Sequence, residues 1–441
     1  MTSHSIAYHT FLLSLLHLLV DGVCACGLML TCQTASDVEA CGLIVLYDVL
    51  AFGTQPLTGR WVDANGASEH SAKLAIALLT GGALIGVLPL SQNLLAATAT
   101  AILLGMGNSL FHVYGGKYVA VVSHNDIRMM GVFVSTGAVG LSIGLGFFSP
   151  MLLLVFLIAI LALSALHLHN ARIAQTDIPL LAYTEKNKQA SAHSTVLLLY
   201  LSCLMLVVSG RAFIGENVPS LRTSIPSMGA PLTMVMVSVI VMAGKAAGGF
   251  LSKKWGVRNV FCATMLFSAT AFLMCPWHHV FVLLTLLLVN ISMPCTLYWA
   301  TKAVPGREGW AFGLLAMALL PGFMLGQVTK EDDFCQSLLV FLMATILLES
   351  LLLLCMHERR WQVLATSVVL NILTNVPLNA FIITCEVTFP LYLIGLECLV
   401  VVVEYIGYWL VLHEHRKAFK YSLLCNFFSV TVGSLYQLTF T

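Results

Sequence analysis

An all-α, polytopic membrane protein is the fold class that this chain of 441 residues predicts. Three observations predict it: 59% of the residues are hydrophobic, only 9% are charged, and the apolar residues gather in long runs. A soluble domain carries about 25% charged residues because its surface faces water. A chain this poor in charge has lipid as its natural solvent. The net charge of +1 gives no reason to expect a nucleic-acid partner. The bilayer itself is the partner that composition implies.

A membrane helix needs about 20 apolar residues. That criterion places spans near 6–30, 39–56, 72–91, 93–114, 129–147 and 149–168. A polar linker from His169 to His193 follows, and then spans near 194–218, 228–250, 258–276, 280–302, 310–328 and 335–356. Three more lie near 363–383, 388–412 and 418–439. The first run contains Asp21 and is too long for a signal segment, so it is read as a span. With the N-terminus inside, 17 of the 21 Lys and Arg residues fall in inner loops or the adjoining helix ends. This alternation fits the positive-inside rule. It predicts a plasma (bacterial inner) membrane protein with a cytoplasmic N-terminus and an outer C-terminus. The 13 cysteines lie mostly inside apolar runs. Neither they nor the histidines show a zinc or redox spacing, so no metal and no cofactor is expected.

The linker divides twelve spans into six and six, and a repeat is visible across it. The loop after span 2 holds Gly59, Arg60, Asp63 and Gly66; the loop after span 8 holds Gly249, Lys253, Gly256 and Arg258. Gly59 matches Gly249 and Gly66 matches Gly256 at an offset of 190. Asn108 matches Asn290, Gly140 matches Gly322 and Gly144 matches Gly326 at an offset of 182.

These features resemble the major facilitator superfamily: six spans, a linker, six spans, and a Gly-x-x-x-Asp-x-x-Gly loop at Gly59, Asp63 and Gly66. Within it, His17 to Asp21, Gly107 to His112, and Arg211 are similar to exporters of the fosmidomycin-resistance type. The resemblance implies a 12-helix bundle with halves at 1–168 and 194–356, joined by a cytoplasmic linker at 169–193. It also implies a gate at the two inner loops. The loop departs from the family pattern where Ala64 and Ala67 replace basic residues and Lys253 replaces the second acid. That gate is therefore expected to be held differently.

Ionisable groups inside hydrocarbon are costly and mark function by default. His17 and Asp21 are four apart on one helix face and could hold a proton or merely brace the bundle. Arg211 lies 190 residues after Asp21, so the repeat puts the two in equivalent positions and predicts an Asp21–Arg211 charge pair, functional or structural. Asp48, Asn108, His112, Glu216 and Asn290 are candidate cavity residues. Each has a plain alternative as a helix-to-helix hydrogen-bonder or vestibule residue.

Residues 357–441 lie outside the repeat and are expected to form an appended three-helix module. Asn371, Asn375 and Asn379 make one polar stripe; Glu397 and Glu404 are seven apart on another; Asn426, Ser429 and Gly433 make a third. Such stripes should face protein, because lipid would leave them unsatisfied. The partner of this module is not legible. No Walker motif or nucleophile elbow appears, so an enzyme is not expected. The expectation is a secondary transporter of a small organic solute, with protons as coupling ions and efflux as the direction. The alternative is a non-transporting sensor or assembly scaffold built on a transporter fold.

Overall fold

A computed structural model describes residues 3–87, 93–174, 194–217, 230–275, 278–329 and 390–440, with scattered positions between 353 and 374. The described residues are helical throughout, with no strand among them. The helices begin with α1 (Ser3–Cys32), α2 (Asp37–Asp48), α3 (Gln55–Asn65), α4 (Glu69–Val87) and α5 (Leu94–Val122). Next come α6 (Ile127–Phe133), α7 (Gly137–Gly146), α8 (Pro150–Ala174), α9 (Ser194–Asn217) and α10 (Ala230–Trp255). They continue with α11 (Val257–Leu273), α12 (His279–Ile291), α13 (Met293–Ala303), α14 (Glu308–Met317) and α15 (Leu319–Thr329). The last two are α16 (Pro390–Leu412) and α17 (His415–Phe440). Eight helical segments among the described residues are long and apolar enough to cross a membrane, as a multi-pass protein requires.

Local chemistry explains the boundaries. Ser36 and Glu39 form a capping box that opens α2, with the Ser36 amide donating to the Glu39 carboxylate at 2.9 Å. Asn93 caps α5 through the Leu95 amide at 2.9 Å. The span expected at 280–302 is broken before Pro294, which sits in the first turn of α13, where its missing N–H leaves no bond unmade. Helices continue past the expected membrane edge at several ends. Most tellingly, Gly59 to Asn65, expected as a loop, are the last turns of α3.

The contacts divide the chain into two compact units, one of 1–268 with 279–327, the other of 269–278 with 328–441. Within the first, helix contacts recur at the two sequence offsets. A Cβ at Gly59 would meet the Gly309 carbonyl oxygen at 2.5 Å, and one at Gly249 would meet that of Ile127 at 2.7 Å. Gly131 lies against the Lys245 carbonyl oxygen as Gly313 lies against that of Gln55. Gly248 abuts the Ile291 carbonyl where the equivalent pair, Thr58 and Ser109, is joined by a hydrogen bond of 3.0 Å. Gly140 fits against the Leu18 carbonyl and Gly322 against that of Ser209. Bare backbone at these crossings lets helices approach without side chains between them. Even the turns repeat: Gly66 has φ 75° and Gly256 has φ 88°, a region open to glycine and strained for other residues.

In the second unit, α16 and α17 pack together around Tyr408, Tyr421 and Cys425. Glu404 is fully buried there and accepts from Thr374 Oγ1 at 3.1 Å and Asn426 Nδ2 at 2.6 Å. Polar positions from the three expected stripes or their flanks thus meet. Glu397 is only half-buried, and Asn371 donates to the Ser367 carbonyl on its own helix at 3.0 Å. Asn375, Asn379, Ser429 and Gly433, like most of the spans expected at 335–356 and 363–383, lie outside the residues or side chains described.

Candidate functional site

The first unit brings together four of the expected residues. His17 and Asp21 stand one turn apart on α1, and Asn108 and His112 one turn apart on α5, so four polar side chains converge from two helices. Asn108 Nδ2 donates to Asp21 Oδ1 at 3.1 Å. His17 Nε2 is 3.3 Å from Asp21 Oδ2, His112 Nε2 is 3.5 Å from Asp21 Oδ1, and the two Nε2 atoms are 2.8 Å apart. A Cβ at Gly137 would collide with Asp21 Oδ2 and His17 Nε2, so the bare backbone of α7 closes a third side.

The outer nitrogens fix the protons. His17 Nδ1 is 2.8 Å from the Phe133 carbonyl oxygen, and His112 Nδ1 is 2.9 Å from that of Asn108. A carbonyl only accepts, so both Nδ1 atoms carry hydrogen. In neutral rings both Nε2 atoms are then lone-pair acceptors, and they face each other beside a carboxylate. Three converging acceptors hold together only around a cation. A second buried pair behaves differently. His9 and His167 meet through Nδ1 atoms at 3.3 Å, and His167 Nε2 lies 3.0 Å from the Tyr114 hydroxyl. No carbonyl fixes these tautomers, so with neutral rings one Nδ1–H donates to the other Nδ1 while His167 Nε2 pairs with the Tyr114 hydroxyl.

The expected Asp21–Arg211 ion pair is replaced by this cluster. Asp21 takes its partners from α1 and α5, which pack directly together, and no ion pair among the described residues joins it to Arg211. Arg211 is 7% exposed on α9, and its Nη1 is buried without a hydrogen-bond partner among the described residues. Between the two charges stands Lys245 on α10, half-buried and within electrostatic reach of Asp21, His112 and Arg211. Lys245 is not among the candidates that sequence patterns pick out. The signal was present: a cation in an apolar helix, equivalent to Gln55 in the repeat.

The remaining candidates are dispersed. Asp48 is half-buried where α2 opens into the π-helical turn Val49–Gly53. Asn290, equivalent to Asn108, turns back to the Leu286 carbonyl of its own helix at 2.8 Å. Glu216 is half-buried in the last turn of α9.

The residues expected at the gate form a second built feature. Asp63 is buried and sits at the N-terminus of α14, accepting from the Gly309 and Trp310 amides at 2.9 and 2.8 Å. A carboxylate there satisfies orphan amides and the helix dipole together. Lys117, 3% exposed, adds an ion pair to Asp63 at 2.8 Å. Arg60 lies 5.6 Å from the Trp310 ring centroid. At the equivalent place in the other repeat, Lys253 and Arg258 are exposed. Lys253 lies within electrostatic reach of Asp126, which caps α6 through the Arg128 amide at 3.0 Å and pairs with the Arg128 guanidinium at 2.6 Å. The second copy thus lacks the buried acid of the first, and its nearest acid, Asp126, is bonded to Arg128.

Solved structures with this arrangement of helices exist. The E. coli fucose:proton symporter FucP superposes with a TM-score of 0.58 at 15% identity, covering 76% of this chain and 93% of that one. FucP is itself a major facilitator superfamily transporter. The fold is that of the major facilitator superfamily. A bacterial homologue of the iron transporter ferroportin, in an outward-facing state, gives 0.52 at 16% identity over 76% of this chain and 95% of its own. The human organic anion transporter MFSD10 gives 0.51 at 16% identity over 75% and 95%. No family model and no curated protein matches the sequence.

Proposed function

We propose that the chain is a secondary transporter that carries a small organic solute by alternating access, with its site between the two repeats at the level of Asp21 and Arg211. The observation that carries the reading is the charge balance at that level. Among the described residues, Arg211 and Lys245 bring two cations, Asp21 brings one anion, and Nη1 of Arg211 is buried without a partner. A buried charge left unpaired costs several kcal/mol, of order 3–5. A solute bearing a carboxylate or phosphate group would supply what Arg211 lacks, so the substrate class is a small organic anion. The His17–Asp21–His112 cluster is the coupling site, with a proton as the cation that resolves its converging acceptors, and export is the direction that the exporter-like motifs favour. The Asp63 contact with α14 acts as the gate on one side of the solute.

Proteoliposome flux of small carboxylates and phosphonates under an imposed pH gradient tests this. Arg211→Gln should fold, as judged by monodispersity and thermal unfolding, yet lose coupled flux. Normal flux by that variant would overturn the proposal.

A further inference from the structure

We propose that the His17–Asp21–His112 cluster is also a binding site for a divalent first-row transition-metal ion of the Zn2+, Mn2+ or Fe2+ class. The three ligand atoms, two imidazole Nε2 and one carboxylate oxygen, all lie within 4.8 Å of one another. The two Nε2 atoms are 2.8 Å apart, and the carboxylate presents Oδ2 to His17 at 3.3 Å and Oδ1 to His112 at 3.5 Å, separations of the size that metal–nitrogen bonds of about 2.0–2.1 Å set between neighbouring ligands, about 3 Å. Two imidazoles and a carboxylate suit these ions, and three protein ligands leave positions open for water or solute.

The surroundings are those of a built metal site. Each ligating histidine donates its other N–H to a backbone carbonyl, and the ligating carboxylate is oriented by Asn108. Such outer partners fix the tautomer and the ring. Asn108 also leaves Oδ1 buried without a partner among the described residues, a further oxygen beside the cluster. Gly137 removes the one side chain that would fill the space. The His9–His167 pair, by contrast, is satisfied by neutral rings and needs no ion. Lys245 is the tethered cation within reach of Asp21, and an arriving metal ion competes with it for the carboxylate.

The sequence expectation of no metal followed from spacing along the chain. These ligands come from helices about 90 residues apart, beyond any spacing rule. The inference rests on the transport reading only in placing the ion on the solute path; binding itself does not depend on it.

The test uses full-length protein in nanodiscs, stripped with a chelator and titrated calorimetrically with Zn2+, Mn2+ and Mg2+. One saturable site for Zn2+ and Mn2+ is expected, with none for Mg2+, which favours all-oxygen shells. His112→Gln and Asp21→Asn should weaken it at least about tenfold, while the exposed His70→Gln leaves it intact. Lys245→Gln should tighten it, a response that a merely structural role of the cluster would not give. Should the ligand variants fail to fold, wild-type protein still decides: bound Zn2+ must protect His17 and His112 from diethylpyrocarbonate, read by mass spectrometry. An isotherm unchanged in both ligand variants, no saturable binding by the wild type, or unprotected histidines would each overturn the site. Metal binding without solute flux would overturn the transport reading alone; flux without metal binding would overturn the site alone.

Discussion

The two repeats of the first unit share a backbone and invert its charges. Gly59 and Gly249 make the same close approach, to Gly309 and to Ile127, and Gly66 and Gly256 make the same left-handed turn. Yet Asp21 is matched by Arg211, Asp63 by Lys253, and Gln55 by Lys245. The two acids at these positions are partnered: Asp21 by two histidines and Asn108, Asp63 by two amides and Lys117. The bases of the second are not matched in this way. Among the described residues Arg211 has an unpartnered nitrogen, and Lys253 is exposed. The difference teaches that glycine-mediated backbone crossings carry the repeat, while the side chains at these matched positions differ in charge.

The largest effect that would break this comparison is at Asp63, the first of the two proposed gates. Asp63→Asn leaves Lys117 buried without its counter-ion, and losing one partner of a buried pair costs about 3–5 kcal/mol. The variant should unfold at lower temperature, and a cysteine placed beside Gly309 should react faster with a soluble maleimide. Unchanged values for both would mean that Asp63 does not hold the gate.

A smaller effect tests the shared backbone. Gly66→Ala and Gly256→Ala each force a side chain into a sparsely populated region, at about 1–3 kcal/mol. Because the conformation repeats, the two losses should be similar by thermal unfolding; a loss at only one position would confine the equivalence to sequence.

The smallest effect concerns the second of the proposed gates. Lys253→Ala, at an exposed site, should change stability by less than about 0.5 kcal/mol. Partial burial works against the Asp126 carboxylate, but the Arg128 guanidinium and amide, and then Lys253, hold its pKa below the ordinary value. A depressed pKa contributes stability above the unfolded value of about 3.9 and loses it as pH falls through the folded value. The difference between wild type and Asp126→Asn should therefore shrink on acidification below about pH 4. A difference that persists there would assign the contact to packing rather than to charge.

By itself the sequence determined the membrane, the helical class and the repeat. Hydrocarbon admits few charges and only internally bonded helices, and glycines at tight crossings keep fixed spacing. It also determined which residues are unusual, because a His, Asp, Asn or Arg in an apolar run is expensive wherever it points. Only the tertiary structure decided which of them meet. Residues four apart on one helix, such as His17 and Asp21, can be paired from periodicity. Equivalent positions, such as Asp21 and Arg211, invite a pair that symmetry suggests but that packing does not make. The approach of α1 to α5 gave Asp21 to His112 and Asn108. The packing of α10 put Lys245 within reach of both Asp21 and Arg211. Contacts between distant helices depend on how backbones cross, and the one-dimensional pattern records only which positions are small enough to allow it.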